Sequence, residues 1–293
     1  MFKGSIVAIV TPFRKDGKVD EKALGDLINW HIKQGTNAIV PCGTTGESAT
    51  LDYKEHYRVI QFTVETVNGR VPVIAGTGAN ATDETIMITK EAKKAKADAA
   101  LIVAPYYNKP TQEGLYRHYK AVADAVKMPI ILYNVPGRTA VNMLPSTVAR
   151  LAEIKNIVAL KEATGDMKQA SEIIRLCGDK ITVLSGDDFT TLPLMALGGR
   201  GTISVTANVA PKLVSDMCSL WEKGKFDEAR ALHYKMEPLN AAMFIETNPI
   251  PVKTALAMMG KIKEQFRLPL CEMASANKEK LRSALKSMGL VTK

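Results

Sequence analysis

The chain is expected to be an α/β protein, a (β/α)8 TIM barrel with a C-terminal helical extension. Three observations lead there. Short apolar, β-rich runs alternate eight times with longer helical patterns. The runs recur roughly every 25–30 residues, the spacing of a strand–helix unit. Beyond Gly224 the alternation stops and only helical patterns remain. The expected division is a barrel over residues 1–224 and an α-helical domain over 225–293.

Taken in order, the first strand is expected at 6–10, with an amphipathic helix at 21–34. The second strand (38–41) leads to a helix at 53–67, the third (71–75) to 83–96, and the fourth (99–104) to 112–126. The fifth (130–133) precedes a shorter helix beginning near Pro145. The sixth (157–161) leads to 167–176, the seventh (181–185) to 189–197, and the eighth (202–205) to 211–221. Three more helices follow at 225–243, 250–259 and 277–288. The run Ala81-Thr82-Asp83-Glu84 supplies an N-cap and early acids, and Pro145 and Pro211 suit first helical turns. Gly35, Gly178 and Gly224 stand where helices should stop.

Composition narrows the function. The 293 residues are 46% hydrophobic, enough for a sizeable core. The net charge of +9, from 39 basic and 30 acidic residues, is spread along the chain. Its densest cluster, Lys93-Lys94 with Lys96, lies on an expected helix without interleaved aromatics, so a solvated face is expected rather than a nucleic-acid site. Cys42, Cys177, Cys218 and Cys271 show neither disulfide nor zinc spacing, which suits reduced thiols in the cytosol. Met1-Phe2-Lys3 and the apolar run 5–13 superficially imitate a signal peptide. Arg14-Lys15-Asp16 follows without a cleavage site, so a first buried strand is expected instead. No apolar run approaches membrane-spanning length.

In such a barrel the chemistry belongs at the carboxyl ends of the strands. The sixth strand ends in Lys161, after the buried run Ile157-Val158-Ala159-Leu160. A lysine amine shielded from water is more readily neutral, and a neutral amine can attack a carbonyl to form a Schiff base. The second strand ends in Gly43-Thr44-Thr45-Gly46-Glu47, whose hydroxyls and backbone amides can hold a small carboxylate. Tyr107 follows the fourth strand and Tyr133 ends the fifth; a phenol near an amine can relay protons. Arg138, after a Pro-Gly turn, is either a surface residue or a bidentate clamp on a carboxylate. Gly186 permits close backbone approach, and Asp187-Asp188 without a third ligand is read as helix capping rather than a metal site. His31, His56, His118 and His233 all fall within helical patterns and are assigned no catalytic role.

Three segments, Gly43-Thr44-Thr45-Gly46-Glu47, Tyr133-Asn134-Val135-Pro136-Gly137-Arg138-Thr139 and Val158-Ala159-Leu160-Lys161-Glu162-Ala163, resemble the signatures of the dihydrodipicolinate synthase (4-hydroxy-tetrahydrodipicolinate synthase) family. The resemblance covers essentially the whole chain, with each segment on its expected strand. It implies a lyase of the pyruvate-dependent class I aldolase type that condenses pyruvate with L-aspartate 4-semialdehyde, the first committed step toward diaminopimelate and lysine. By position it implies that Lys161 forms the imine, that Tyr133 is the central proton donor and acceptor, and that Thr44 and Tyr107 complete a hydroxyl relay, Tyr107 reaching in from a neighbouring subunit. Thr45 would hold the pyruvate carboxylate, Gly186 and Ile203 would line that pocket with backbone groups, and Arg138 would bind the semialdehyde carboxylate. No metal or organic cofactor is implied.

The resemblance further implies a cytoplasmic homotetramer built from two tight dimers, inhibited allosterically by L-lysine at the tight interface. Ser48, Ala49, His56, Asn80, Glu84 and Tyr106 match that pocket, whereas Tyr53 stands where inhibited relatives often have histidine. Two alternatives stay open: a sibling aldolase acting on sugar acids, against which Arg138 argues, and a non-catalytic barrel that binds a keto acid, against which the set Thr44, Tyr107, Tyr133 and Lys161 argues.

Overall fold

The computed structural model describes residues 2–292; Met1, the first residue of the signal-like start, lies outside them, and the rest of that start opens the first strand. Strands and helices alternate: β1 (Gly4–Ala8), α1 (Glu21–Lys33), β2 (Ala38–Val40), α2 (Tyr53–Val67), β3 (Ile74–Gly76), α3 (Thr82–Lys94), β4 (Ala99–Val103), α4 (Gln112–Ala125) and β5 (Ile130–Asn134). They continue with α5 (Pro136–Thr139), α6 (Pro145–Ala152), β6 (Ile157–Glu162), α7 (Met167–Cys177), β7 (Thr182–Ser185), α8 (Thr191–Ala196), β8 (Gly201–Ser204) and α9 (Pro211–Glu222). Three helices, α10 (Phe226–Met243), α11 (Ile250–Met258) and α12 (Ser275–Ser287), complete the order.

Among the described residues the strands form one parallel sheet in the order β2-β1-β8-β7-β6-β5-β4-β3. The two end strands meet through a parallel bridge, Ile39 with Val73, which closes the barrel. The Gly76 amide also donates to the Pro41 carbonyl at 2.9 Å across this seam. A Cβ at Gly76 would lie 2.1 Å from the Cys42 carbonyl oxygen, so only glycine fits there.

Period-two alternation sorts the strand residues into two layers. Ile6, Ala8, Ile74, Leu101, Ile131, Tyr133, Ala159, Leu184 and Ile203 fill the barrel interior. Their neighbours, such as Ile102, Leu132 and Leu160, pack outward against α4, α6 and α7 through Leu115, Tyr119, Leu151 and Ile173. The C-terminal helices share a core with the first βα units: Leu281 and Leu285 of α12 belong to the same apolar cluster as Leu24, Ile28 and Val59.

Element boundaries follow local chemistry. β3 begins at Ile74 rather than at residue 71, because Pro72 has no amide to donate and the Val73 amide donates to the Asp98 carboxylate at 2.8 Å. The expected cap of α3 is corrected: the N-cap is Ala81, which has no side-chain cap bond. Thr82 lies inside the helix, with its hydroxyl 3.0 Å from His118 Nδ1. The Pro-Gly turn before Arg138 is instead the one-turn helix α5, with Pro136 at its start. Nor do Asp187 and Asp188 cap α8, whose N-cap is Thr190, without a side-chain cap bond. Asp188 turns inward, accepting from the Ser204 hydroxyl and from the Val205 and Thr206 amides at 3.0 Å.

No helix among the described residues is long and apolar enough to cross a membrane. All four cysteines are unpaired; Cys42, Cys177 and Cys218 are buried and Cys271 is exposed.

Two helical histidines make the fold acid-sensitive. Burial pushes His31 down to about 3 and His118 down to about 4. Both are neutral when folded, so their contribution is complete above pH 6.5 and is lost as pH falls toward those values. Between pH 7 and 4.5 each should remove roughly 2–3 kcal/mol of stability. Urea unfolding across that range should show a shallower decline for His118→Gln than for the parent chain.

Candidate active site

The register of β5 and β6 sets Tyr133 beside Lys161. Lys161 shares the inward face of Ala159, two residues before it, and is 5% exposed. Its Nζ lies 4.1 Å from the centroid of the Tyr133 ring, which is itself buried. The amine is therefore held inside the barrel mouth against an aromatic face.

β7 shapes the other side of the lysine. The Gly186 amide donates to the Glu162 carbonyl at 2.7 Å. A Cβ at Gly186 would come within 2.7 Å of the Ala163 Cβ and 3.0 Å of Lys161 Cε and Cγ. The missing side chain is thus what lets the lysine stem lie along β7. Ile203 of β8 is fully buried in the interior layer beneath.

The outward-facing neighbours of Tyr133 and Lys161 form a buried polar network that fixes both strand ends. Glu162 accepts from Asn134 Nδ2 at 3.1 Å and from the Thr164 amide at 2.8 Å. Asn134 accepts from the Met143 amide and donates to Asn142, which in turn donates to Gln169. Burial raises the Glu162 carboxyl above the ordinary range, and its hydrogen bonds oppose that rise. A saturated network of this kind resists movement of its members.

The loop after β2 is a compact series of turns. Its chain reverses through Gly46 N to Gly43 O at 3.0 Å and Glu47 N to Thr44 O at 3.1 Å, and Thr11 Oγ1 donates to Gly46 O at 2.6 Å. Thr45 is 2% exposed and Thr44 is half-buried. Asn248, between α10 and α11, donates from Nδ2 to Thr45 Oγ1 at 3.0 Å. The exposed Arg138 of α5 donates from Nη2 to the Asn248 carbonyl at 3.1 Å. One residue thus joins the threonine loop to the arginine.

The same loop is pinned from below by Glu47, whose carboxylate forms a buried ion pair with Lys253 of α11. Lys253 Nζ also lies 4.2 Å from the Phe13 ring centroid. Burial pulls Lys253 down to about 8, with Glu47 favouring the charged form. Arg267 completes the brace, binding both Glu55 oxygens at 2.6 Å and the carbonyls of Thr50 and Gly17.

The remaining expected residues fall in two places. Tyr107 is 88% exposed, with φ of 73°, in contrast to the buried Lys161. Tyr53, Glu84 and Tyr106 cluster on the surface: Tyr53 donates its phenol proton to Glu84 at 3.1 Å, and the Glu84 charge helps burial raise the Tyr106 phenol. Asn80 lies alongside, its carbonyl accepting from Asn108 at 2.9 Å, and Ser48 and Ala49 form the adjacent one-turn segment. His56 is buried beneath, donating from Nε2 to the Gly76 carbonyl at 2.7 Å, and burial lowers its pKa. Among the described residues no group of His, Cys, Asp and Glu is arranged to hold a metal ion.

Sequence reading alone missed Asn248, the Glu162 network and the Lys253 brace. A signal existed for two of them. Lys253 is the one charge in a mostly apolar helix, and Asn248 opens the proline-rich run Asn248-Pro249-Ile250-Pro251.

Fold and site together define a (β/α)8 barrel in which a buried lysine and a tyrosine meet at the carboxyl ends of paired strands, the end where barrel enzymes carry their chemistry. The model of the dihydrodipicolinate synthetase family matches residues 1–288. The 4-hydroxy-tetrahydrodipicolinate synthase of Thermodesulfovibrio yellowstonii is 73% identical over 291 residues, covering 99% of this chain and 100% of that one. The chloride-inhibited dihydrodipicolinate synthase of Acinetobacter baumannii, solved in complex with pyruvate, superposes with a TM-score of 0.98 at 54% identity, covering 99% and 100% of the two chains. The enzyme of Cyanidioschyzon merolae, solved with lysine bound, superposes at 0.96 with 40% identity over 99% of each chain. The chain belongs to the dihydrodipicolinate synthetase family. Its activity is that of a 4-hydroxy-tetrahydrodipicolinate synthase, an enzyme of lysine biosynthesis.

Gly186→Ala tests the close approach. The added methyl should displace the lysine stem and lower kcat by roughly 10–100-fold, the scale of small misplacements at reacting groups. Thermal unfolding of the variant should show a folded barrel.

Proposed function

We propose that this chain makes 4-hydroxy-tetrahydrodipicolinate from pyruvate and L-aspartate 4-semialdehyde through a Schiff base on Lys161. The observation that carries this reading is the buried Lys161 amine set against Tyr133 at the end of paired barrel strands. The neutral amine attacks C2 of pyruvate, and the carbinolamine loses water to give an imine. The protonated imine draws electrons from the methyl group, so a methyl proton leaves and an enamine forms. The enamine carbon attacks the semialdehyde aldehyde, making the new carbon–carbon bond as the aldehyde oxygen takes a proton. The substrate amine then attacks C2, closes the ring and expels the lysine amine. One water is released overall.

Each step moves a proton, and Tyr133 is the group we assign to carry it, with Thr44 and Tyr107 extending the relay to solvent. Because Tyr107 is exposed in its own chain, we assign it to the site of a neighbouring subunit, within a cytosolic homotetramer of two tight dimers. Thr45 holds the pyruvate carboxylate through its hydroxyl and amide, backbone groups of Gly186 and Ile203 line the same pocket, and Arg138 binds the semialdehyde carboxylate. The barrel over residues 1–224 carries this chemistry, and residues 225–293 are its helical support.

L-Lysine is the proposed feedback inhibitor. Its site is the surface cluster of Ser48, Ala49, Tyr53, His56, Asn80, Glu84 and Tyr106, with Glu84 pairing the ligand amine. The Tyr53–Glu84 hydrogen bond must yield to the ligand, which weakens binding.

Borohydride reduction in the presence of pyruvate should add a covalent mass to the parent chain at Lys161 and none to Lys161→Ala. A parent chain that stays unmodified would sink the imine. In an assay coupled to the downstream reductase, NADPH should be consumed with pyruvate and aspartate semialdehyde, and millimolar L-lysine should slow it. Glu84→Thr should raise the lysine concentration for half inhibition by ~10-fold or more, the loss expected for a charged hydrogen bond. Unchanged sensitivity in that variant would remove Glu84 from the inhibitor site.

A further inference from the structure

The Asn248 side chain is 6% exposed and lies far from Thr45 in sequence, yet its Nδ2 donates to Thr45 Oγ1 at 3.0 Å. An amide nitrogen can only donate, so the threonine oxygen is the acceptor in this bond. A threonine hydroxyl has one proton and two lone pairs. With one lone pair taken by Asn248, the proton remains for another acceptor. The other Asn248 side-chain atom, Oδ1, is buried without a partner within the described residues. Leaving a buried acceptor unpaired is costly, which argues that this amide is kept for what its nitrogen does.

We propose that Asn248 is a positioning residue for pyruvate: it orients the Thr45 hydroxyl so that its proton is donated to the substrate carboxylate. Its backbone carbonyl, accepting from Arg138 at 3.1 Å, sets the spacing between the two carboxylate-binding groups. The inference rests on the role proposed for Thr45.

The test is steady-state kinetics on the full chain, with Asn248→Ala, Asn248→Asp and Thr45→Val made singly and Asn248→Ala also combined with Thr45→Val. Asn248→Ala should raise the KM for pyruvate by ~10-fold, the scale of an oriented hydrogen bond to a charged group, and leave kcat and the KM for semialdehyde within about threefold. Asn248→Asp should raise it further, because a carboxylate accepts the Thr45 proton for itself. On the Thr45→Val background, where no hydroxyl remains to orient, Asn248→Ala should add nothing. A purely structural role would instead multiply KM by the same factor in both backgrounds and would overturn the inference. So would an unchanged KM in Asn248→Ala beside a raised KM in Thr45→Val. If Thr45→Val alone leaves the KM for pyruvate unchanged, the proposed role of Thr45 fails first, and this inference with it. Asn248→Ser, which cannot supply the amide but keeps a small polar group, replaces Asn248→Ala should that variant not fold.

Discussion

The constraint on which the rest depends is the pairing of β5 with β6, Tyr133 opposite Lys161. Parallel strands fix the height of each residue relative to its neighbour, and alternation fixes which face it takes. Together these bring two distant side chains to the same level of the barrel interior without help from a loop. The outward neighbours Asn134 and Glu162 then bond to each other, so the pair is locked from behind as well. A one-residue slip in either strand would turn the amine or the phenol into the helical layer.

The second half of the site is assembled differently. Thr44 and Thr45 sit on turns, and turns are held only as firmly as their partners allow. Here the partners come from residues 248–267: Asn248 at the Thr45 hydroxyl, Lys253 at Glu47, and Arg267 across Thr50, Glu55 and Gly17. Removing one member of a buried ion pair such as Lys253–Glu47 costs about 3–5 kcal/mol, because the other charge is left without compensation. The strand-borne lysine is positioned by the barrel, and the threonine loop after β2 is positioned by residues 248–267.

Much of this was legible in the residues. Alternating apolar runs marked the eight strands, since burial on both faces of a parallel sheet leaves a continuous hydrophobic signature. Lys161 stood out because a charged residue ended such a run, and the hydroxyls of Thr44, Thr45 and Tyr133 fell at the carboxyl ends of other strands. What local pattern could not reveal was long-range partnership. Nothing near Thr45 announces Asn248, and nothing near Glu162 announces Gln169, because these bonds depend on how the helices close over the sheet. Caps were misread for the same reason: Thr82 and Asp188 have the chemistry to cap a helix, but tertiary partners, His118 and the turn after β8, claim them.

The division of labour between barrel and tail also orders events in time. A ribosome delivers the chain from its amino end, so the strand carrying Lys161 emerges long before Asn248, Lys253 and Arg267. Until those three residues arrive, the Thr44–Thr45 loop lacks the side chains that brace it in the folded chain. The order of that loop is therefore completed only once residues 248–267 have been made and have docked.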